Sequence, residues 1–290
     1  MKINNLRING KCFKYNKYKI QKKLNELYKY DSFISYDELL FDDSYNINSF
    51  NHRSTYKYII SKDINKDNLK KAYSILMNGL LDNNDLINTS YYREGNSYMM
   101  ETSILGDSYI KNTSPIKLEE SMNQLFEYIN TSKDDEFIKS QILQLYIILL
   151  QPYYDGNSRI GRVTSIWNML NTNNSNYISY IKGIFLNKNK YYTSIKESKK
   201  NLNITSFLST MLDININEKR KDKIISKMNL NYYEDSIIRL LFKNSFSFQE
   251  LVNKIRLSYN EYDDMNVRRT LKSLKEKDII TLNKNNIKLK

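Results

Sequence analysis

One cysteine, one histidine, two prolines and seven glycines are all this chain of 290 residues contains of those four types. With Cys12 alone, an internal disulfide framework and a cysteine metal cluster are excluded. No apolar run approaches the roughly eighteen residues that a spanning helix needs, and the longest, Leu145 to Leu150, is short. An integral membrane helix is therefore excluded. The start, "MKINNLRINGKCFKYNKYKI", lacks an apolar central block and a small-residue cleavage site, so no secretory signal is expected. A soluble cytoplasmic protein with no membrane partner is the expectation. The scarcity of proline and glycine, against abundant Lys, Asn, Ile and Tyr, is the composition that AT-rich coding gives. It makes one stretch conspicuous: "QPYYDGNSRIGR", residues 151–162, holds Pro152, Gly156 and Gly161 within twelve positions.

Hydrophobic residues make up 40% of the chain and charged residues 27%, a balance able to bury a core. The formal net charge is +13. Basic side chains are spread along the sequence, with local excesses in residues 1–30 and 181–230, so the general basicity reads as a solvated surface.

The patterning is mainly helical. "NLKKAYSILMNGLL" (68–81), "PIKLEESMNQLFEYI" (115–129) and "VTSIWNML" (163–170) carry apolar residues at helical spacing, and Pro115 suits a first helical turn. "EFIKSQILQLYIILL" (136–150) turns apolar on every side and reads as a central buried helix running into the 151–162 stretch, which is expected to be a loop between core helices. The Ser-, Thr- and Tyr-rich residues 96–114, interrupted by Gly106, are the one good hairpin candidate in the first two thirds. "INEKRKDKIISKMN" (216–229) reads as a charged, helix-like connection. Beyond it, three helical patterns and the pair "IITL" and "NIKL" give the order of a winged helix-turn-helix. The expected organisation is an N-terminal helical segment (1–85), a core (86–215), and a linker with a winged helix (216–290).

The chemistry concentrates in "DGNSRIGR". A loop entering a helix presents free backbone N–H groups, and glycine lets a phosphate come close. Asp155 is a hard oxygen ligand suited to Mg2+. Arg159 and Arg162, three apart on a helix, share a face and can grip phosphate oxygens in pairs. Asn157 adds an amide donor.

The stretch resembles the signature of the Fic (Fido) family, H-P-F-x-D/E-G-N-G-R-x-x-R. The resemblance implies a mainly α, Fic-type domain with a small β-hairpin flap, followed by a winged helix. It implies transfer of AMP, or another phosphate-containing group, from ATP with Mg2+ to a protein hydroxyl. By the same resemblance Asp155 holds Mg2+; Gly156, Asn157 and Ser158 line the anion hole; Arg159 and Arg162 bind phosphates; and Tyr153 takes the place of a core phenylalanine. "YYREGNSYMMETSILG" is similar to the family's flap, so a protein substrate or partner is expected to dock around residues 93–106 by strand pairing. "NYISYIKGIFLNKNKYY" is similar to a downstream helix whose N-R-x-x-Y-Y element, here Asn187 to Tyr192, shapes the nucleotide pocket with Asn187 and Tyr191. In many members an upstream helix, S/T-x-x-x-E-G/N, blocks the nucleotide site through its glutamate; "SYNINS" (44–49) resembles it with Asn48 in that place.

Two departures stand out. Gln151 occupies the position of the catalytic histidine, and an amide is far too weak a base for that role. Ser158 replaces a glycine. The only histidine, His52, lies about a hundred residues upstream. Two readings follow: a slow or altered transferase, or a catalytically inactive nucleotide- or protein-binding regulator acting through its winged helix. In that unit Arg268, Arg269, Lys272 and Lys275 form a phosphate-contact set for DNA on the third helix. Homo-oligomers are compatible with either reading.

Overall fold

A computed structural model describes residues 1–30, 47–82, 85, 90–103, 106–174, 176–242, 244–258, 264–283 and 286–290. Among these residues it contains twelve α-helices and three two-stranded antiparallel sheets. The helices are α1 (Lys17–Leu27), α2 (Ile47–Ile59), α3 (Lys66–Leu76), α4 (Leu118–Thr131), α5 (Glu136–Leu150), α6 (Asn157–Asn171), α7 (Tyr177–Leu186), α8 (Lys188–Asn201), α9 (Thr205–Ile225), α10 (Tyr232–Leu241), α11 (Phe248–Ser258) and α12 (Asp264–Glu276). The strands are β1 (Arg7–Ile8), β2 (Lys11–Cys12), β3 (Tyr98–Ser103), β4 (Gly106–Lys111), β5 (Ile280–Asn283) and β6 (Asn286–Leu289). No helix among the described residues is long and apolar enough to cross a membrane.

Asn and Asp side chains start several helices by accepting from free N–H groups of the first turn. Asn16 accepts from Lys19, Asn65 from Asn68, and Asp135 from Phe137 and Ile138. Asn231 and Glu234 form a reciprocal capping box at the start of α10. The central helix α5 has the predicted bounds, and every residue from Phe137 to Leu150 is buried. It packs most closely on α6. A methyl group added at Gly161 would lie 3.0 Å from the Gln144 carbonyl oxygen and 3.2 Å from Ile148 Cγ1, so a larger residue there would force the two helices apart.

Four expectations need correction. The 151–162 stretch is only half loop, because α6 already begins at Asn157; its sole proline and the Asp-Gly pair lie before that point. The helix expected over 68–81 ends at Leu76, with the chain turning at Gly79, where φ is +69°. The segment 176–192 is two helices broken at Asn187, not one. A second hairpin exists near the start: β1 and β2 are joined by Asn9 and Gly10, both with positive φ, the Asn-Gly turn whose twist matches that of paired strands.

Buried apolar side chains form two clusters. The larger runs from Ile3 to Ile216 and centres on α5 and α6; the smaller runs from Ile225 to Ile287 and takes in α10, α11, α12 and the β5–β6 hairpin. Phe246 bridges to Ile287 beside that hairpin. The charged segment after residue 216 is helical through Ile225, as the last turns of α9. Asn48 lies in the first turn of α2, and its side chain, with residues 44–46 of "SYNINS", falls outside the described residues.

Candidate functional site

Helix α5 stops because Gln151 adopts the left-handed conformation (φ 55°, ψ 62°) and Pro152 follows, with no N–H to continue the ladder. A left-handed non-glycine residue costs roughly 1–2 kcal/mol. The surroundings hold it in place. Arg93, buried just before the flap, donates from Nε to the Gln151 carbonyl (2.8 Å) and from Nη1 to the Gly95 carbonyl (2.7 Å). Its Nη2 donates to the Thr113 carbonyl, and its backbone N–H to the Pro152 carbonyl (3.0 Å). One guanidinium thus ties both ends of the flap to the turn after α5. Arg93 appears in the sequence only as a letter of the flap motif; no local pattern assigns it this role, because two of its three acceptors, Gln151 and Thr113, come from distant segments.

The Gln151 side chain folds back onto its own turn. Its Nε2 donates to the Ile148 carbonyl, and its Oε1 accepts from Asn157 Nδ2 at 3.0 Å. Asn157 also donates to the Tyr153 carbonyl (2.8 Å), while its Oδ1 accepts from the Tyr153 N–H (2.9 Å). Its amide therefore closes the loop internally and is spent there. Tyr153 is buried and stacks on Tyr73, with ring centroids 3.7 Å apart and planes 6° from parallel. Burial pushes the Tyr153 hydroxyl well above its ordinary value, so it stays protonated. The Tyr73 hydroxyl donates to the Asp155 carbonyl at 3.0 Å and pins the loop from α3.

Gly156 caps α6 with φ +75°, a conformation that favours glycine, and a methyl group there would lie 2.5 Å from Met77 Sδ. The Arg159 and Ile160 N–H groups both bond to the Gly156 carbonyl. No acceptor among the described residues meets the N–H groups of Gly156, Asn157 and Ser158. Successive free donors at a helix start are the form of an anion nest.

The charged groups around this nest are loosely committed. Arg159 Nη1 donates to Met77 Sδ at 3.2 Å, a weak acceptor, and Nη2 lies 3.9 Å from the exposed Asp155 carboxylate. A partly exposed pair at that separation contributes at most about 1 kcal/mol. Either partner can turn to a ligand at little cost.

Arg162 sits over a buried polar layer. The Tyr180 hydroxyl donates to Gln144 Oε1 at 2.5 Å, and Gln144 Nε2 donates to the Tyr191 hydroxyl. Burial works against the Arg162 charge, but the oxygens of Tyr191, Tyr192 and Tyr180 outweigh it and hold the proton more tightly than usual. Burial raises Tyr191 in turn, and the Arg162 charge partly opposes that rise. The Lys188 amine is lowered, first by burial and then by Arg162. Tyr191 thus lies beside the arginine, whereas the Asn187 amide is used on the Gly183 carbonyl at 2.9 Å. Gln144 has no motif in the sequence to mark it; the signal is a glutamine within the apolar half of the helix, Ile142 to Leu150. His52 lies on α2 with its ring 6.2 Å from that of Tyr56.

The flap is the β3–β4 hairpin, with Tyr98 opposite Lys111 and Ser103 opposite Gly106. Its base is closed by Asn112, which donates from its backbone to the Ser97 carbonyl and from Nδ2 to Ser97 Oγ, both at 3.0 Å. The Gly95 N–H donates to the Tyr154 hydroxyl at 2.7 Å, a second tie between flap and loop. An open pocket of about 560 Å3 lies there, lined by Asp85, Asn96, Ser97, Tyr98 and Tyr154. Arg268, Arg269, Lys272 and Lys275 are all exposed on α12, opposite buried Val267, Thr270, Leu271 and Leu274; the Arg268 guanidinium lies 4.1 Å from the centre of the Phe248 ring.

Comparison with known proteins finds a similarity over the same part of the chain. Residues 63–168, which include the flap and the 151–162 stretch, match the profile of the Fic/DOC family. The structure is similar to that of a Fic family protein from Desulfovibrio desulfuricans G20, with a TM-score of 0.53 and 16% identity over 93% of this chain and 80% of that one. At that identity the likeness is one of fold. A comparison with curated proteins finds no match.

Proposed function

We propose, from the premise that residues 63–168 form a Fic/DOC-type domain, that this chain binds ATP with Mg2+ on the 155–162 segment. It transfers AMP, or a related phosphate-containing group, to a hydroxyl of a protein segment laid along the flap. The observation that carries the reading is the set of unbonded N–H groups of Gly156, Asn157 and Ser158, with Arg159 and Arg162 on the same helix. Three donors at a helix start with two cations on its first two turns suit a polyphosphate far better than a neutral ligand.

The residues present fit a magnesium ion. Mg2+ keeps several waters and needs only one or two carboxylates when phosphate supplies the other oxygens. The exposed Asp155, beside the nest and free of any strong pair, is such a carboxylate. When bound, the ion would neutralise charge on the phosphate oxygens. The chain's own part is to hold the phosphates and align the acceptor hydroxyl. Position 151 supplies no proton acceptor: both polar atoms of the Gln151 amide are engaged, and neither is basic. Loss of a general base costs about 10²–10⁴-fold in rate, so the transfer is slow but not abolished.

Calorimetry with ATP–Mg2+ tests the site. Wild type should bind, and Arg162→Ala should bind about tenfold or more weakly, since a charge-assisted hydrogen bond is worth about 1.5–3 kcal/mol. Equal affinity in both proteins, or none in either, would overturn the assignment.

The exposed basic stripe of α12 favours a second reading, in which the same fold is a non-catalytic regulator whose C-terminal unit, taken as a winged helix, contacts DNA phosphates through Arg268, Arg269, Lys272 and Lys275.

A further inference from the structure

We propose that the pocket between the flap and the motif loop receives a cationic side chain, Arg or Lys, of the protein segment that docks on the flap. The inference rests on the transferase reading for the identity of that segment and deepens it by naming a feature of the substrate: a basic residue close to the acceptor hydroxyl.

The pocket's composition is the first argument. Among the described residues, two tyrosine rings and one carboxylate line it, together with the polar Asn96 and Ser97, and no Lys or Arg does. In a chain of net charge +13, a pocket with only a carboxylate for charge departs from its surroundings. Among the described residues no basic side chain pairs with Asp85. An aromatic wall beside a carboxylate suits a guanidinium or ammonium group, which takes the ring faces and the carboxylate at once. A nucleotide would stack on the rings but would bring its phosphates toward Asp85.

Position and stiffness supply the second argument. Tyr154 is held by the Gly95 N–H, and Ser97 by Asn112, so two walls are fixed. Tyr98, 58% exposed, begins β3 and stands where a strand added to the flap would run. Tyr154, a wall of the pocket, is followed directly by Asp155, the proposed metal ligand, so the pocket adjoins the proposed metal and phosphate site. The residue filling the pocket would therefore lie within a few positions of the hydroxyl presented to the phosphates.

The test uses the full-length protein and fluorescein-labelled decapeptides, each with one central threonine and a single flanking Arg, Lys, norleucine or Glu. Affinities are read by anisotropy for wild type, Asp85→Asn and Tyr98→Ala, with ATP–Mg2+ calorimetry on the same preparations. The Arg and Lys peptides should bind wild type about tenfold more tightly than the norleucine peptide, and the Glu peptide more weakly still. Asp85→Asn should erase the preference and leave ATP affinity within about twofold. A wild type indifferent to the flanking residue, or an Asp85→Asn protein that keeps the preference, would overturn the proposal. Loss of ATP binding in Asp85→Asn would overturn it too, by assigning the pocket to the nucleotide. A wild type that prefers the basic peptides but binds no ATP would support the pocket while sinking the transferase reading, so the two fail separately.

Discussion

Gln151 is held by four hydrogen bonds: its own N–H to Ile147, its carbonyl to Arg93, and its side chain to Ile148 and Asn157. A histidine at this position keeps the two backbone bonds and needs only to swing its ring off the Ile148 carbonyl to face the nest. Gln151→His should therefore raise incorporation of labelled AMP, into the protein itself or a lysate, by about 10²-fold or more. Should the rate stay flat, Ser158 or the pocket has already abolished the chemistry, and adding Ser158→Gly distinguishes the two. The sequence made the motif residues legible because their types are rare in this chain and their spacing is short. It did not show that the Asn157 amide and the Gln151 amide satisfy each other, nor that Arg93 and Gln144 set the positions of the turn and of Tyr191. Those partners lie 47 and 58 residues from what they position, beyond the reach of any local pattern.

Among the elements, the apolar run predicted α5 with its bounds, because burial of apolar side chains is what packing acts on. The misses came from single residues that end or begin elements. Asn187 splits one expected helix into α7 and α8, and Asn9–Gly10 closes a hairpin too short to show alternation. For α12 the exposed face is a claim that salt can decide. Each phosphate neutralised adds about 0.9 to the slope of log affinity against log salt. Replacing Arg268 and Arg269 by alanine in the full chain should thus lower the slope for duplex DNA by about two, unless Arg268 stays on Phe248, in which case the drop is nearer one. An unchanged slope and affinity would assign the stripe to protein docking or plain solvation.

Over the whole molecule, α9 supplies Phe207, Leu208, Met211, Leu212, Ile214 and Ile216 to one core and Ile225 to the other. Where its last turns meet α10, the Arg239 guanidinium is buried against Glu218 (3.1 Å), Asp235 (2.7 Å) and Asp222. Burial opposes this charge, yet the three carboxylates hold the proton above arginine's ordinary range. Ser179 and Lys182 of α7 join the group through Asp222 and Asp235. Arg239→Met would strand the fully buried Glu218 carboxylate with Lys221 as its remaining ionic partner, at a cost of about 3–5 kcal/mol. Urea unfolding should show that loss; an unchanged midpoint would mean that the cluster relaxes into solvent.

Because α9 runs without interruption between the two cores, their mutual orientation is a matter of angular phase. A helix advances about 100° and 1.5 Å per residue. One residue inserted between Asp222 and Ile225 would swing everything after it by more than a quarter turn and carry Arg239 away from Glu218 and Asp222, although no existing side chain is altered. Seven inserted residues, close to two full turns, would nearly restore the phase while lengthening the rod by roughly 10 Å. Length is fixed as firmly as phase, because that shift also takes Arg239 off Glu218 and Asp222, and an insertion of either kind must build a different junction.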